Sequence, residues 1–298
     1  MTVRTLEVVD AAEAASVRRL LADARDVDAV AALSEQTLLH LDSSAGEHRH
    51  LLVGDDEVIG YAHLDHTGLE AGVEILVAPE QRRQGVGTRL WQAVTDLVPS
   101  ARVWAHGDLP PAQAWAREQG LGVVRELHQM GRSLDGLADL DVDLPDGYTA
   151  RTFTPDDIDA WVALNAAAFA THPEQGRVTA DDVRARMAED WFDADGFFLI
   201  EEGSATGSDL AAFHWTKTSE GEGEVYVVGV DPQRQGLGLG KAATALGLRH
   251  LARAGLPRVT LYVDGDNTAA LATYTRLGFE RIALDVMYGA QRSEAVPA

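Results

Sequence analysis

Cysteine is absent from this chain of 298 residues, which excludes a disulfide framework, a thiolate zinc site and a cysteine nucleophile. Long apolar runs are missing too. No stretch approaches the roughly eighteen residues needed to span a membrane, and charges interrupt the start of the chain where a secretory signal would be apolar. A cytoplasmic protein with no membrane partner is expected. Basic residues are scarce, 25 Lys and Arg against 47 Asp and Glu, for a net charge of −22. That field repels nucleic acid over most of the surface, and no basic helix or stacking motif offsets it. The ten histidines show no ligand spacing, so no metal is expected.

What remains is 46% hydrophobic and 24% charged, the balance of a globular protein long enough for two domains. An internal repeat points the same way: Arg82-Arg83-Gln84-Gly85-Val86-Gly87 recurs as Gln233-Arg234-Gln235-Gly236-Leu237-Gly238. Each copy follows a strand rich in β-branched residues (73–77; 224–230) and precedes a helix with apolar residues at helical spacing. Around these units one order is expected twice: an early helix (11–24; 155–169), a hairpin (51–66; 197–218), the strand–turn–helix unit, a strand (102–105; 259–263), a helix (110–119; 267–277) and a last strand. This is a mixed α/β fold written in tandem. Residues 1–134 and 148–298 form its two domains, and the acidic, turn-forming stretch 135–147 is read as the linker.

A strand that runs through a glycine turn into a helix leaves several backbone N–H groups unpaired and aimed at one spot, with the positive end of the helix dipole behind them. Such a spot attracts a phosphate or pyrophosphate. The spacing here is neither the dinucleotide fingerprint nor the P-loop. Arg82, Arg83, Arg89, Arg234 and Lys241 add local positive charge at the two turns.

Val230-Asp231-Pro232-Gln233-Arg234-Gln235-Gly236-Leu237-Gly238-Leu239-Gly240 resembles the acetyl-CoA pyrophosphate loop of the GCN5-related N-acetyltransferases. The stretch from Asn267 through Tyr274 to Gly278-Phe279 resembles that family's closing motif. The resemblance implies two tandem acetyltransferase folds, α/β (α+β) with a mixed sheet, and acetyl-CoA as co-substrate. It implies that the fourth strand splays from the fifth, that pantetheine pairs with the freed main chain of Val228, Gly229 and Val230, and that Gln235, Gly236, Leu237, Gly238, Leu239, Gly240 and Lys241 hold the pyrophosphate. Asn267, Thr268, Ala269, Ala270, Leu271 and Ala272 would complete the cofactor site. Gly229, otherwise a poor strand residue, suits a bulge there. In the first copy the corresponding residues are Leu76, Val77 and Ala78 with Gln84, Gly85, Val86, Gly87, Thr88 and Arg89. Yet Ala116 and Leu109 stand where the closing motif has Tyr and Asn. The first domain is therefore expected to be catalytically silent, either still binding acetyl-CoA or only buttressing its neighbour.

Within the family, residues 224–232 and the stretches 33–36, 168–176 and 213–217 resemble a tandem-domain branch that acetylates the cysteinyl amine of a cysteine–glucosamine–inositol conjugate. By that resemblance Glu35, Glu174, Lys217, Glu224 and Tyr262 face the acceptor. N-acetylation needs a neutral amine, a donor to the thioester oxygen and an acid for the departing thiolate. An α-ammonium titrates near ~8, so Glu224 is the candidate base. A main-chain N–H of residues 228–230 is the candidate donor, and Tyr274, in the family's acid position, the candidate acid. An acetyltransferase for an aminoglycoside, a polyamine or a protein N-terminus would keep every acetyl-CoA motif. A non-enzymatic acetyl-CoA-binding module would need neither Glu224 nor Tyr274. A small-molecule amine is the expected partner and a monomer the expected state.

Overall fold

The computed structural model describes residues 2–43, 46–55, 57–66, 71–170, 175–204, 207–219 and 221–290. Contacts divide the chain into two compact units, one made of residues up to Leu127 together with the chain from Ala283, the other of His128–Ile282. Among the described residues no helix is long and apolar enough to cross a membrane.

The first unit opens with β1 (Val3–Leu6) and α1 (Ala11–Asp28). The Asp10 carboxylate accepts from the backbone of Ala12 and Glu13 while the Glu13 carboxylate accepts from Asp10 N, a capping box worth about 1 kcal/mol. Ala14, Val17, Leu20 and Ala24 bury one face of this helix, at the three- to four-residue spacing of an amphipathic stripe. The six-residue α2 (Glu35–His40) follows, capped by Ser34. Strands β2 (His48–Val53), β3 (Gly60–Asp65) and β4 (Gly72–Val77) form an antiparallel meander. Helix α3 (Val86–Leu97) crosses back to β5 (Arg102–Ala105), parallel to β4, and α4 (Pro110–Glu118) leads into β6 (Leu121–Ser133). Strand alternation divides the side chains between two cores. Leu51, Val53, Ala62 and Leu64 pack with Leu90 and Val94 of α3, while Leu52, Tyr61 and Leu76 pack with Val17 and Leu20 of α1.

The second unit contains β7 (Tyr148–Thr152), α5 (Ile158–Ala168), α6 (Ala180–Met187), β8 (Phe197–Ser204), β9 (Gly207–Ser219), β10 (Glu222–Val230), α7 (Leu239–Arg253), β11 (Arg258–Asp264) and α8 (Thr268–Arg276). Its strand order, starting from the later residues of β6, is β6-β11-β10-β9-β8-β7. β10 and β11 run parallel; β10, β9, β8 and β7 are antiparallel in turn. Trp161, Phe197, Phe213 and Trp215 fill the core beneath α5, and Leu248, Leu251, Val259 and Leu261 the core beneath α7. Residues 135–147, read from the sequence as a linker, lie along these cores. Leu137 and Leu140 pack on one apolar cluster, Val142 and Leu144 on another, and Arg253 Nε donates to the Ala138 carbonyl at 2.7 Å.

The last strand, β12 (Glu280–Ala290), enters the first unit. Its Val286, Met287 and Tyr288 pair antiparallel with Ala105, Trp104 and Val103 of β5, and Val286 and Tyr288 join the core beneath α3. The structure also moves the register of the repeat. Both α3 and α7 start at a left-handed glycine, Gly85 (φ 80) and Gly238 (φ 88), so Gly85 matches Gly238 and not Gly236. Arg83 (φ 62) then matches Gly236 (φ 80). The shared feature is a backbone conformation that favours glycine, and matching letters alone set the copies two residues out of step.

Candidate functional site

In the second unit the site is built on one edge of β10. Its β9 side is paired from Glu222↔Ser219 to Val230↔Ala212, whereas its β11 side pairs only at Gly223↔Val259 and Glu224↔Thr260. Past Glu224 the two parallel strands share no further rungs among the described residues, so the main chain of residues 226–230 presents an open edge. An unpaired row of N–H and C=O groups calls for partners, and an extended amide-bearing chain supplies them. The ladder to β9 slips between Val225 and Val227, which puts the bulge at Tyr226 and not at Gly229. Gly229 stays in register with Phe213, and packing requires its glycine. A Cβ there would stand 2.6 Å from the Phe213 ring and 3.2 Å from Ala168 Cβ.

Beyond β10, residues 232–234 form a 3-10 turn, and Gly236 and Gly238 carry positive φ into α7. A Cβ on either glycine would meet nothing within 4 Å, and Leu237 is 52% exposed. This end of α7 is unobstructed, with its first N–H groups unpaired within the helix. Gln235 and Lys241 are exposed beside it. Arg234 is not available as a phosphate donor: it is ion-paired with Asp231 and, at 2.8 Å, with Glu202. Asn267 caps α8, its side chain accepting from Ala270 N at 3.1 Å. Tyr274, further along α8, turns inward among Val225, Val263 and Phe279, the last with ring centroids 5.7 Å away. Burial pushes the Tyr274 phenol well above the ordinary tyrosine range, so it stays protonated and can donate.

Glu224 alternates with the buried Val225 and so points to the opposite face of β10. Its register partners are Lys217 on β9 and Thr260 on β11. Lys217 is 7% exposed, and its Nζ lies 5.0 Å from the Trp191 ring centroid and 5.6 Å from that of Tyr226. Tyr262, two residues beyond Thr260 on the same face, is 48% exposed and its hydroxyl accepts from Gln129 at 3.1 Å. It is no part of the core. Glu224, Lys217 and Tyr262 therefore share one face, with Tyr274 across the open edge. Glu174 lies outside the described residues, and Glu35 is the exposed first residue of α2 in the first unit. Trp191, Tyr226 and Arg186 went unread in the sequence. Tyr226 carried a signal, standing two residues from Glu224 on a strand; Trp191 and Arg186 are distant in the chain and carried none.

The first unit repeats the open edge. β4 is paired with β3 as far as Val77↔Gly60 but with β5 only from Gly72↔Arg102 to Glu74↔Trp104. A cavity of about 340 Å³ lies beside it, and Leu76, Val77, Gly85, Val86, Gly87 and Thr88 are among its lining. Ala78 instead packs in the core beneath α1, and Gln84 and Arg89 are exposed. Arg82 is held by Asp28 at 2.8 and 2.7 Å. The position matching Tyr274 is Ala116, which is fully buried. The buried Glu74 carboxylate meets His106 Nε2 at 2.9 Å and accepts from Ser34 N at 2.9 Å, while His106 Nδ1 lies 3.1 Å from Asp285. Burial works against a charged ring here, but the bonds to Asp285 and Glu74 outweigh it and push His106 up to about 10. Burial likewise works against the Glu74 carboxylate, and the bond from His106 outweighs it. Glu74 is thus committed to an ion pair and has no free role as a base.

Four further imidazoles cluster at the end of α2 and on the strands beneath it. His40 and His48 stack at 4.2 Å, His63 is hydrogen-bonded to His40 and Thr37 at 2.9 Å each, and His50 to the Tyr61 hydroxyl at 2.7 Å. Burial lowers all four, His50 and His63 to about 4. Among the described residues no group of three or more His, Asp or Glu is arranged to hold a metal ion.

A family model described as the acetyltransferase (GNAT) family matches residues 15–123 and again 161–279. Among curated proteins, the chain is similar to a mycothiol acetyltransferase of Actinosynnema mirum, 49% identical over 292 residues, covering 95% of this chain and 97% of that one. It is also similar to a mycothiol acetyltransferase of Thermomonospora curvata, 52% identical over 267 residues and covering 88% of each. Among solved structures, a GCN5-related N-acetyltransferase from Sphaerobacter thermophilus superposes with a TM-score of 0.72 at 22% identity, over 96% of this chain and 94% of that one. A tandem GNAT protein from the clavulanic acid biosynthesis pathway gives 0.69 at 19% identity, over 98% and 100%. At such identities the structures speak to the fold alone.

Proposed function

The chain belongs to the acetyltransferase (GNAT) family and is an N-acetyltransferase, and from that premise we propose that it acetylates the cysteinyl amine of a cysteine–glucosamine–inositol conjugate in mycothiol biosynthesis, with the second unit as its catalyst. The observation that carries this reading is the β10–β11 opening, bounded by Glu224 on one face, by Tyr274 on the other, and by the unobstructed start of α7 at its end. The residues fit acetyl-CoA. The open main chain of residues 226–230 suits the pantetheine amides, and the left-handed turn at Gly236 and Gly238 leaves room for a pyrophosphate on the N–H groups of α7.

Acetyl-CoA supplies an activated thioester, and three groups of this chain act on the transfer. Glu224 draws the proton from the acceptor ammonium, directly or through a water. A main-chain N–H of Val228, Gly229 or Val230 donates to the thioester oxygen as its charge grows. Tyr274, kept protonated by burial, donates its proton to the departing thiolate and is restored from solvent. Lys217 and Tyr262 contact the acceptor from the Glu224 face. The first unit holds a second acetyl-CoA through Leu76, Val77, Gly85, Val86, Gly87 and Thr88 without turning it over, because Ala116 supplies no acid and Glu74 no base.

The test is to mix the protein with acetyl-CoA and the cysteinyl–glucosaminyl–inositol amine and to follow the N-acetylated product by mass spectrometry. A product carrying one added acetyl on nitrogen is expected, as is calorimetric binding of acetyl-CoA to two sites. Turnover of an aminoglycoside or polyamine with none of this amine would replace the acceptor, and a single binding site would remove the first unit's role.

A further inference from the structure

The Lys217 side chain is almost wholly buried, where lysine is seldom found unless something holds it. It grows from the position directly opposite Glu224 on the paired strands β9 and β10, so ammonium and carboxylate start from one face. Two aromatic rings flank the ammonium, Trp191 at 5.0 Å and Tyr226 at 5.6 Å from Nζ to ring centroid, both within reach of a cation–π attraction. The rings form a corner with centroids 4.9 Å apart and planes inclined by 55°. Each wall is fixed from behind. Trp191 packs on Trp215 at 5.8 Å, and the Tyr226 hydroxyl accepts from Arg186 Nε at 2.8 Å. Tyr226 stands two residues from Glu224 and so lies on the same face of β10, where it gives the corner its second wall.

We propose that Trp191, Tyr226 and Arg186 are positioning residues that clamp the Lys217 ammonium beside Glu224, where it directs the acceptor and favours the neutral form of its amine. The proposal rests on the acceptor reading given above. Lysine's four-carbon stem has many rotamers and its ammonium is a point charge without preferred direction. The two ring faces narrow that freedom. Held on the ring faces, it is a fixed positive charge near the bound amine. A like charge nearby disfavours the ammonium form, so less work falls to Glu224.

Steady-state kinetics of Trp191→Ala, Trp191→Phe, Lys217→Ala and the double variant test this with acetyl-CoA and the cysteinyl–glucosaminyl–inositol amine. Trp191→Ala is expected to raise the acceptor KM about tenfold, leave the acetyl-CoA KM within twofold, and move the acid limb of kcat to higher pH. Trp191→Phe keeps a ring face and should recover most of the loss. If Trp191 acts through Lys217, the double variant costs no more than Lys217→Ala alone. An unchanged acceptor KM, an unmoved pH profile or fully additive losses would overturn the clamp. Should Trp191→Ala fail to fold, Arg186→Gln unhooks the Tyr226 hydroxyl with every ring left in place; a rise in acceptor KM supports the clamp and no change overturns it. A substrate-free measurement separates this claim from the choice of acceptor. The Lys217 ε-methylene protons should show a ring-current upfield shift in the wild type that Trp191→Leu abolishes, and an ordinary shift in the wild type sinks the clamp whatever amine is acetylated.

Discussion

Glu224 and Tyr274 stand on opposite faces of one open strand edge, in different surroundings. Glu224 is half-buried and pairs in register with Lys217 on β9. Tyr274 is sealed among apolar side chains, Phe279 among them, where a phenolate would be costly and the phenol persists. Glu224→Gln is expected to lower kcat about 100-fold with acetyl-CoA affinity within twofold, since nothing in the turn at Gly236 changes. Tyr274→Phe should lower kcat about tenfold or more and leave both KM values near their wild-type levels. Thiol release and calorimetry check both, and wild-type turnover in either variant removes that residue from the mechanism. Gly229 shows how far a residue can be read from letters alone. Its poor fit to a strand was visible, but the cause was the Phe213 ring pressing on it, a contact between positions 16 residues apart on neighbouring strands.

At the scale of elements, α2 is six residues long and owes its place to polar contacts: Ser34 N on Glu74, Thr37 and His40 on His63. These make the first unit sensitive to pH on both sides of neutrality. Unfolded imidazoles take protons near 6.5, whereas folded His50 and His63 do so only near about 4. Between those values the unfolded state binds more protons, so stability falls as the pH drops. His106 works the other way. Its folded value of about 10 means that its contribution, present below 6.5, is lost as the pH rises toward 10. Thermal midpoints of the first unit should therefore peak near neutrality, and His63→Gln should flatten the acid side alone; an acid slope identical to wild type would contradict this. Most elements were legible in the sequence because hydrophobic period and glycine turns are local. β5 and α4 fall where the pattern put them. Helices α2 and α6 were missed because six and eight residues carry too little period, and caps at Ser34 and Thr179 with tertiary contacts hold them instead. Of the candidate site, the strand, the turn and Tyr274 were legible from motifs. The Trp191–Lys217–Tyr226 corner and the His106 ion pair, assembled from distant segments, were not.

At the scale of the whole molecule, the division between units cuts through the chain twice. Asp285, Val286 and Tyr288 of β12 supply the first unit with a partner for His106, a strand for β5 and two side chains for its core. Removing the chain from Ala283 onward is thus expected to abolish the first unit's cooperative unfolding and, with it, the acetyl-CoA binding proposed for that unit, followed by calorimetry. A truncated protein that retains both would show that β12 is dispensable there. Leu127 and His128 are neighbours in the chain, yet the first unit, begun first, is completed only after the whole of the second has been made. A ribosome releases sequence in one direction, and about 150 residues separate Leu127 from Ala283. At ~5–20 residues per second, the first half of the protein waits on the order of 8–30 s for its final strand, with the β5 edge bare. During translation that edge is open to neighbouring nascent chains until β12 emerges to cover it.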